Sequence, residues 1–177
     1  MQVGYCSVVT VHLDGKMREI PLTQGYVALV DDEDYDRIVR HKWSAAIRSK
    51  TCYAITSGNL YMHNLILTDI PENHEADHIN GDGWDNRRSN LRIVTKEQNR
   101  QNKRKQTGDY TSKFKGVYSP ERGRASKKPW RAQIGVEGGS KYLGSFKTEY
   151  EAAEAYNIAA IKLYGEYARL NDCNSRR

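Results

Sequence analysis

Residues 75–103, E-A-D-H-I-N-G-D-G-W-D-N-R-R-S-N-L-R-I-V-T-K-E-Q-N-R-Q-N-K, constrain this chain more than any other stretch. Ala76-Asp77-His78-Ile79 alternates apolar and polar, which predicts a short strand, and Asn80-Gly81 followed by Asp82-Gly83 is strong turn chemistry. Leu91-Arg92-Ile93-Val94 reads as a second strand. Thr95 with Gln98 three residues on is a capping box, which predicts a helix starting there with Asn99 in its first turn. The expected order is strand, long loop, strand, helix. Four polar residues fall where such a unit lets them converge: Asp77 and His78 on the first strand, Asn90 entering the second, and Asn99 on the helix.

That set suits one kind of chemistry. Asp77 and Asn99 are hard oxygen donors of the kind Mg²⁺ or Mn²⁺ takes, and Mg²⁺ keeps several waters and needs only one or two protein oxygens beside a phosphate. His78 is the nearby group whose ordinary pKa, about 6.5, suits proton removal near neutrality. Asn90 could hold the imidazole or pin the loop by hydrogen bonds. Together they point to metal-assisted hydrolysis of a phosphodiester, with His78 activating water.

The D-H-I-N-G-D…D-N-R-R-S-N-L-R segment resembles the catalytic motif of the H-N-H nucleases, the ββα-metal fold shared by phage and intron homing endonucleases. Asn90 and Asn99 follow His78 by 12 and 21 residues, and Asn in the third place makes this the H-N-N variant. The resemblance implies Asp77 and Asn99 as ligands of a single divalent metal, His78 as general base and Asn90 as its orienter. Some H-N-H nucleases also carry Cys-bound zinc. Cys6, Cys52 and Cys173 are scattered here with no C-x-x-C pair, so neither structural zinc nor a disulfide framework is expected.

Charge is unevenly divided. Residues 1–77 carry 7 Lys+Arg and 11 Asp+Glu, whereas residues 78–177 carry 21 and 11, leaving the whole chain at +6. The basic half starts at the proposed site, which predicts a polyanion partner bound in a salt-dependent way. A mean hydropathy of −0.82, no long apolar run and no secretory leader pattern point to a protein of the reducing cytoplasm (a bacterial host cell, if phage-encoded), with no membrane partner and no small-molecule cofactor.

The leader, residues 1–62, reads as short strands. Residues 7–11 and 17–20 flank Asp14-Gly15 as a hairpin, residues 25–30 form another strand, and residues 43–46 and 52–55 two more. Asp31-Asp32-Glu33-Asp34 opens a helix over residues 34–41 as a solvated, dipole-matched run. The same leader resembles that of phage H-N-H proteins (I-P-L-T…Y-V-A-L-V-D-D-E-D-Y…W…Y-A…M-H-N-L-I). His63 starts a helix toward the motif, either as a packed, hydrogen-bonded residue or in a supporting or phosphate-contacting role beside the site. The nuclease domain is expected over residues 1–104 and a basic linker over residues 105–111, with Lys103, Arg104 and Lys105 as phosphate contacts or a solvated tether.

Residues 112–171 change character. F-K-G-V-Y, W-R-A-Q-I-G-V and K-Y-L-G-S-F read as three strands, with Gly138-Gly139 as the tight turn between the last two. Thr148 with Glu151 caps a helix over residues 149–164 that Gly165 closes, and Ala152, Ala155, Ala159 and Ala160 give it a small-residue face. The expected class is α+β, with three antiparallel strands backed by one helix in this part. F-K-G-V, W-R-A-Q-I, Y-L-G-S-F, E-A-A-E-A-Y-N-I-A-A and A-R-L-N resemble the APETALA/ethylene-response-factor DNA-binding domain. That resemblance implies a sheet lying in the DNA major groove and offers Lys115, Tyr118, Gln133 and Tyr142, with Arg122, Arg124 and Arg131, as contacts. Several family Arg are Lys, Tyr or Ser here, and the first loop is longer, so the plant target sequence does not transfer. Gln can read adenine and Arg guanine. Trp130 and Phe146 are assigned to packing.

A cutting module and a reading module on one basic chain make a site-specific, homing-type DNA endonuclease the expected function, acting on double-stranded DNA as a monomer that nicks one strand. The alternatives are a DNA-binding regulator with an inactive motif and a relatively nonspecific nuclease.

Overall fold

The computed structural model describes residues 17–48, 51–105, 108, 110–120 and 126–173. The expected strand at residues 7–11, the Asp14-Gly15 turn, Arg122 and Arg124 lie outside these residues. The chain divides into two compact units, residues 1–97 and 98–177. The architecture is mixed α and β, with small antiparallel sheets and few helices, in line with the expected α+β class.

In the first unit, β1 (Met17–Pro21) pairs antiparallel with β2 (Val27–Asp31), β3 (Ser44–Arg48) with β4 (Thr51–Ile55), and β5 (His74–His78) with β6 (Leu91–Thr95). Helix α1 spans Asp32–Ile38 and α2 spans Met62–Ile66. Ile20, Val30, Ile38, Trp43, Ala54, Met62, Ile66 and Leu91 form one buried cluster, so every sheet and both helices contribute to a single core. Fully burying a side chain such as Ile or Met contributes roughly 1.5–3 kcal/mol.

Helix α1 corrects the expected span of residues 34–41. It starts earlier, because Asp32, Glu33 and Asp34 occupy its first turn. It also stops earlier, because the chain turns to bury Trp43, whose indole N–H donates to the Ile38 carbonyl at 2.8 Å. Nor is the acidic run wholly solvated: Asp34 is only 2% exposed. A buried carboxylate needs charged partners, and Arg37 and Arg88 supply them.

Helix α3 (Lys96–Asn102) follows β6 without an intervening loop, as the capping-box reading of its start requires. In the second unit β7 (Val117–Tyr118), β8 (Trp130–Val136) and β9 (Gly139–Phe146) form one antiparallel sheet in that order. Helix α4 spans Glu149–Tyr164 and opens on the expected capping box: Thr148 Oγ1 accepts from the Glu151 amide and the Glu151 carboxylate accepts from the Thr148 amide. Its buried face is Ala152, Ala153, Tyr156 and Ala160, packed on Val117, Ala132 and Ile134 of the sheet. Trp130 and Phe146 are cross-strand partners against the same core.

Close approach decides one glycine here. Gly116 has φ +74°, and a Cβ there would lie 2.1 Å from the Tyr156 ring and 2.5 Å from the Gln133 carbonyl oxygen. The F-K-G-V motif is thus a backbone crossing over the helix's central tyrosine. Gly116→Ala meets both strain and overlap, so it should destabilise the second unit by about 2–4 kcal/mol, read as a fall in its urea midpoint with the first unit's transition unchanged.

Candidate active site

Register builds the first pair. Asp77 on β5 lies opposite Arg92 on β6, and directly opposed residues of an antiparallel pair share a face. The Arg92 guanidinium donates to Asp77 Oδ2 through Nε at 2.9 Å and Nη2 at 2.8 Å, with both side chains largely buried. Asp77 is therefore gripped by a partner that the sequence reading did not single out.

His78, the next residue, alternates to the other face and is 5% exposed. Its ring meets His63 edge-on with centroids 5.0 Å apart and Tyr53 at 6.1 Å. His63, second in α2 and also buried, stacks on Tyr61 at 5.2 Å. Burial pushes His78 below the ordinary histidine range, against its hydrogen bond to the Asn86 side-chain oxygen and the nearby charges of Asp77, Asp82 and Asp85 that act in the other direction. His63 is pushed down to about 3 by burial and then by its neighbour His78. Both rings are neutral at pH 7, the form in which an imidazole can accept a proton.

The loop from Ile79 to Asn90 is closed by amides. Asn90 Oδ1 accepts from the Asn80 amide at 3.0 Å, and Asn90 Nδ2 donates to Asn80 Oδ1 at 3.1 Å and to the Asp85 carbonyl at 2.7 Å. Of the two roles open to Asn90, pinning the loop is the one its hydrogen bonds serve. The imidazole is met by Asn86 instead, with His78 Nε2 3.2 Å from Asn86 Oδ1. That replaces the expected orienter, and the reason is geometric: both of Asn90's polar ends are used across the base of the loop. Asp85 is gripped by Arg87 through two 2.7 Å contacts. Burial opposes its ionisation, but Arg87 outweighs burial and holds it below the usual carboxylate range.

The leader holds this loop in place. Trp84, Asp85 and Asn86 run alongside the open edge of β2: the Leu29 amide donates to the Trp84 carbonyl and the Asn86 amide to the Leu29 carbonyl, each at 2.8 Å. Arg88 grips Asp34 at 2.7 and 2.9 Å, and its amide donates to Asp31 at 2.7 Å. Gly83 passes so close to β4 that a Cβ would lie 1.8 Å from the Cys52 carbonyl oxygen. The residues missed from sequence alone, Asn86, Arg88 and Arg92, all lie in or beside the quoted D-N-R-R-S-N-L-R string. Their partners, Leu29 and Asp34, are remote in the chain, and only cross-strand register could have paired Arg92 with Asp77.

Asn99 falls within α3, in the second unit. On the second unit's sheet, Ala132 and Ile134 face α4 while Arg131 and Gln133 alternate outward. Arg131 pairs with Tyr118 and Ser145, and Gln133 with Tyr142. Four of the expected contacts, Tyr118, Arg131, Gln133 and Tyr142, thus share the face away from the helix, and Tyr142 is 56% exposed. Lys103 and Arg104 are exposed. Two lysines depart from expectation. Lys115 Nζ donates to the Gln101 and Lys103 carbonyls at 2.6 and 2.7 Å, and burial, with Arg169 nearby, pushes it down to about 8. Lys105 Nζ donates to the carbonyls of Ser112, Phe114 and Val117 at 2.8–3.1 Å. Each cation is bound to two or three backbone carbonyls within the second unit, so both are corrected from phosphate contacts to internal clamps.

The buried histidine and the clamped aspartate lie within a segment that one comparison matches. Residues 68–101 match the HNH endonuclease family. An uncharacterized HNH endonuclease of Acanthamoeba polyphaga mimivirus is 29% identical over 155 residues, covering 84% of this chain and 76% of that protein. An AP2-like ethylene-responsive transcription factor of Arabidopsis thaliana is 59% identical over 44 residues, 24% of this chain and 8% of that protein. An Arabidopsis AP2/ERF and B3 domain-containing transcription factor is 43% identical over 67 residues, 38% of this chain and 16% of that protein. No solved structure matches the chain. No described helix is long and apolar enough to cross a membrane.

The buried imidazoles set a pH dependence of stability. An unfolded histidine titrates near 6.5 and His63 in the fold near 3, so between those values the unfolded chain binds the extra proton. Stability is full above pH 6.5 and falls on acidification by up to about 1.4 kcal/mol per pH unit for such a group. Urea midpoints of the first unit between pH 7.5 and 4.5 should show this loss, and His63→Phe should flatten it.

Proposed function

We propose that this protein is a metal-dependent, site-specific DNA endonuclease of the homing type, in which residues 1–104 cut and residues 112–171 read the target. The observation that carries this reading is a buried neutral His78 beside an Arg92-clamped Asp77, inside the segment that matches the HNH family.

His78 takes a proton from the attacking water as the water oxygen bonds to phosphorus and the phosphorus–oxygen ester bond breaks. Asp77 and Asn99 are the proposed ligands of a single Mg²⁺ or Mn²⁺. The donor chemistry fits. Carboxylate plus amide oxygens, completed by water and phosphate, are the hard donors that Mg²⁺ takes. When bound, the metal supplies Lewis-acid stabilisation of charge on the phosphate and leaving oxygen. Arg92 holds the Asp77 carboxylate in one orientation, and Asn90 and Asn86 keep the loop closed around His78.

The outward sheet face enters the major groove. Arg131 and Gln133 are the base-reading candidates and Tyr118 and Tyr142 flank them, while Lys103, Arg104, Arg122 and Arg124 contact phosphates. The plant-type resemblance supports this reading, as does the concentration of positive charge beyond residue 77. One active site per chain makes a monomer that nicks a single strand.

Conversion of supercoiled DNA to nicked circle tests the chemistry. Wild type with Mg²⁺ should nick, chelator should stop it, and His78→Ala should lower the rate by about 10²–10⁴-fold while leaving DNA affinity unchanged. DNA binding by both proteins with cleavage by neither, even in Mn²⁺, would make the second unit's binding the function. Linear product appearing with no nicked intermediate would defeat single-strand nicking. On a mapped target, Gln133→Ala or Arg131→Ala should cost about 1–3 kcal/mol of discrimination at one base position, measured by competition binding against single-base variants.

A further inference from the structure

We infer that Lys115 is a positioning residue: it clamps the C-terminal end of α3, so that the helix carrying Asn99 is set by the DNA-reading unit that follows it. For its functional meaning this rests on the reading of Asn99 as a metal ligand, while the clamp itself stands on hydrogen bonds.

A helix leaves its last four carbonyls without intrahelical partners, and its C-terminal end favours a cation. In α3 those carbonyls belong to Asn99, Arg100, Gln101 and Asn102. Lys115 Nζ donates to the Gln101 carbonyl at 2.6 Å and to the Lys103 carbonyl, just past the helix, at 2.7 Å. All of these residues lie within the second unit, which begins at Gln98. Helix α3 has only seven residues, and so short a helix holds its shape through outside contacts rather than by itself. Asn99 precedes Gln101 by two residues, about 3 Å along the helix axis.

The clamp has a fixed base. The Lys115 amide donates to Asn171 Oδ1 at 2.7 Å, and Asn171 Nδ2 donates back to the Lys115 carbonyl at 3.0 Å. Gly116 follows directly, in its close crossing over Tyr156. A second lysine grips in the opposite direction. Lys105, just past α3, donates to the carbonyls of Ser112, Phe114 and Val117. Ser112 Oγ in turn donates to Glu149, the first residue of α4, at 2.6 Å. Crossed lysines therefore join the end of α3 to the starts of β7 and α4. A loose tether would leave Asn99 free to wander, whereas this junction delivers it together with the reading unit.

The test uses the full chain, with Mn²⁺ alone as the probe and no DNA present. Lys115→Met should raise the Mn²⁺ dissociation constant by about 10-fold, the lower end of the range for groups that orient a metal ligand. In the metal-free protein its α3 amides should exchange hydrogen faster than those of wild type. Lys115→Arg, which keeps donors for both carbonyls, should restore both readings, and DNA affinity should be unchanged in each variant. Wild-type α3 exchange and Mn²⁺ affinity in Lys115→Met overturn the inference. So does a wild-type Lys115 ammonium that exchanges its protons in mildly acidic buffer as fast as the exposed Lys103, even if Lys115→Met fails to fold. If Asn99→Ala binds Mn²⁺ as tightly as wild type while Lys115→Met loosens α3, the clamp holds and Asn99 falls as a ligand.

Discussion

The loop between His78 and Leu91 carries three buried polar side chains, and the surrounding structure is arranged to satisfy them. Asp85, Asn86 and Asn90 are 5%, 0% and 7% exposed, next to a buried imidazole. An unsatisfied polar group in such a place costs about 1–3 kcal/mol, and an unpaired charge more. Each one is met: Asp85 by Arg87, Asn86 by Gly83, His78 and Leu29, and Asn90 by Asn80 and the Asp85 carbonyl. The loop's shape is the solution to that set of demands, and the position of the imidazole follows from it.

The demand extends into the leader. Because the loop borrows its hydrogen bonds from the open edge of β2, and because Arg88 needs the carboxylate of Asp34, residues 17–48 act as the loop's outer wall. Asp34 in turn is tolerated in the interior only because two guanidiniums reach it. A buried ion pair of this kind adds little net stability compared with an apolar replacement. What it contributes here is position: it fastens a loop next to the proposed chemistry to a core strand and helix.

A parallel economy governs the second unit. Lys105 and Lys115 lie in the most basic part of the chain, yet each spends its ammonium on backbone carbonyls within the unit. Asn171 does similar work, its side-chain amide pairing with the Lys115 backbone in both directions while Asn157 pairs with the backbone of Asn171. The closing A-R-L-N motif is thereby explained as a latch on F-K-G-V. Positive charge in the sequence is therefore a poor guide to which cations face outward, because a lysine bound to backbone carbonyls and one facing phosphate look alike as letters.

Local physics made much of this legible in advance. Period-two alternation located β5 and β8, the Thr148–Glu151 capping box located the start of α4 to the residue, and the facing of Arg131 and Gln133 followed from alternation alone. The proximity of Asp77, His78 and Asn90 was likewise readable, since adjacent strand residues and the far end of one hairpin loop are joined through short spans of chain. What only the tertiary structure decided was partnership: Arg92 for Asp77, Asn86 for His78, Asp34 for Arg88, and carbonyls for Lys105 and Lys115. Residue type and spacing specify which groups must be satisfied, through valence and burial. Which of several chemically equivalent partners does so depends on strand register and on contacts between segments far apart in the chain, and these are settled only when the core packs.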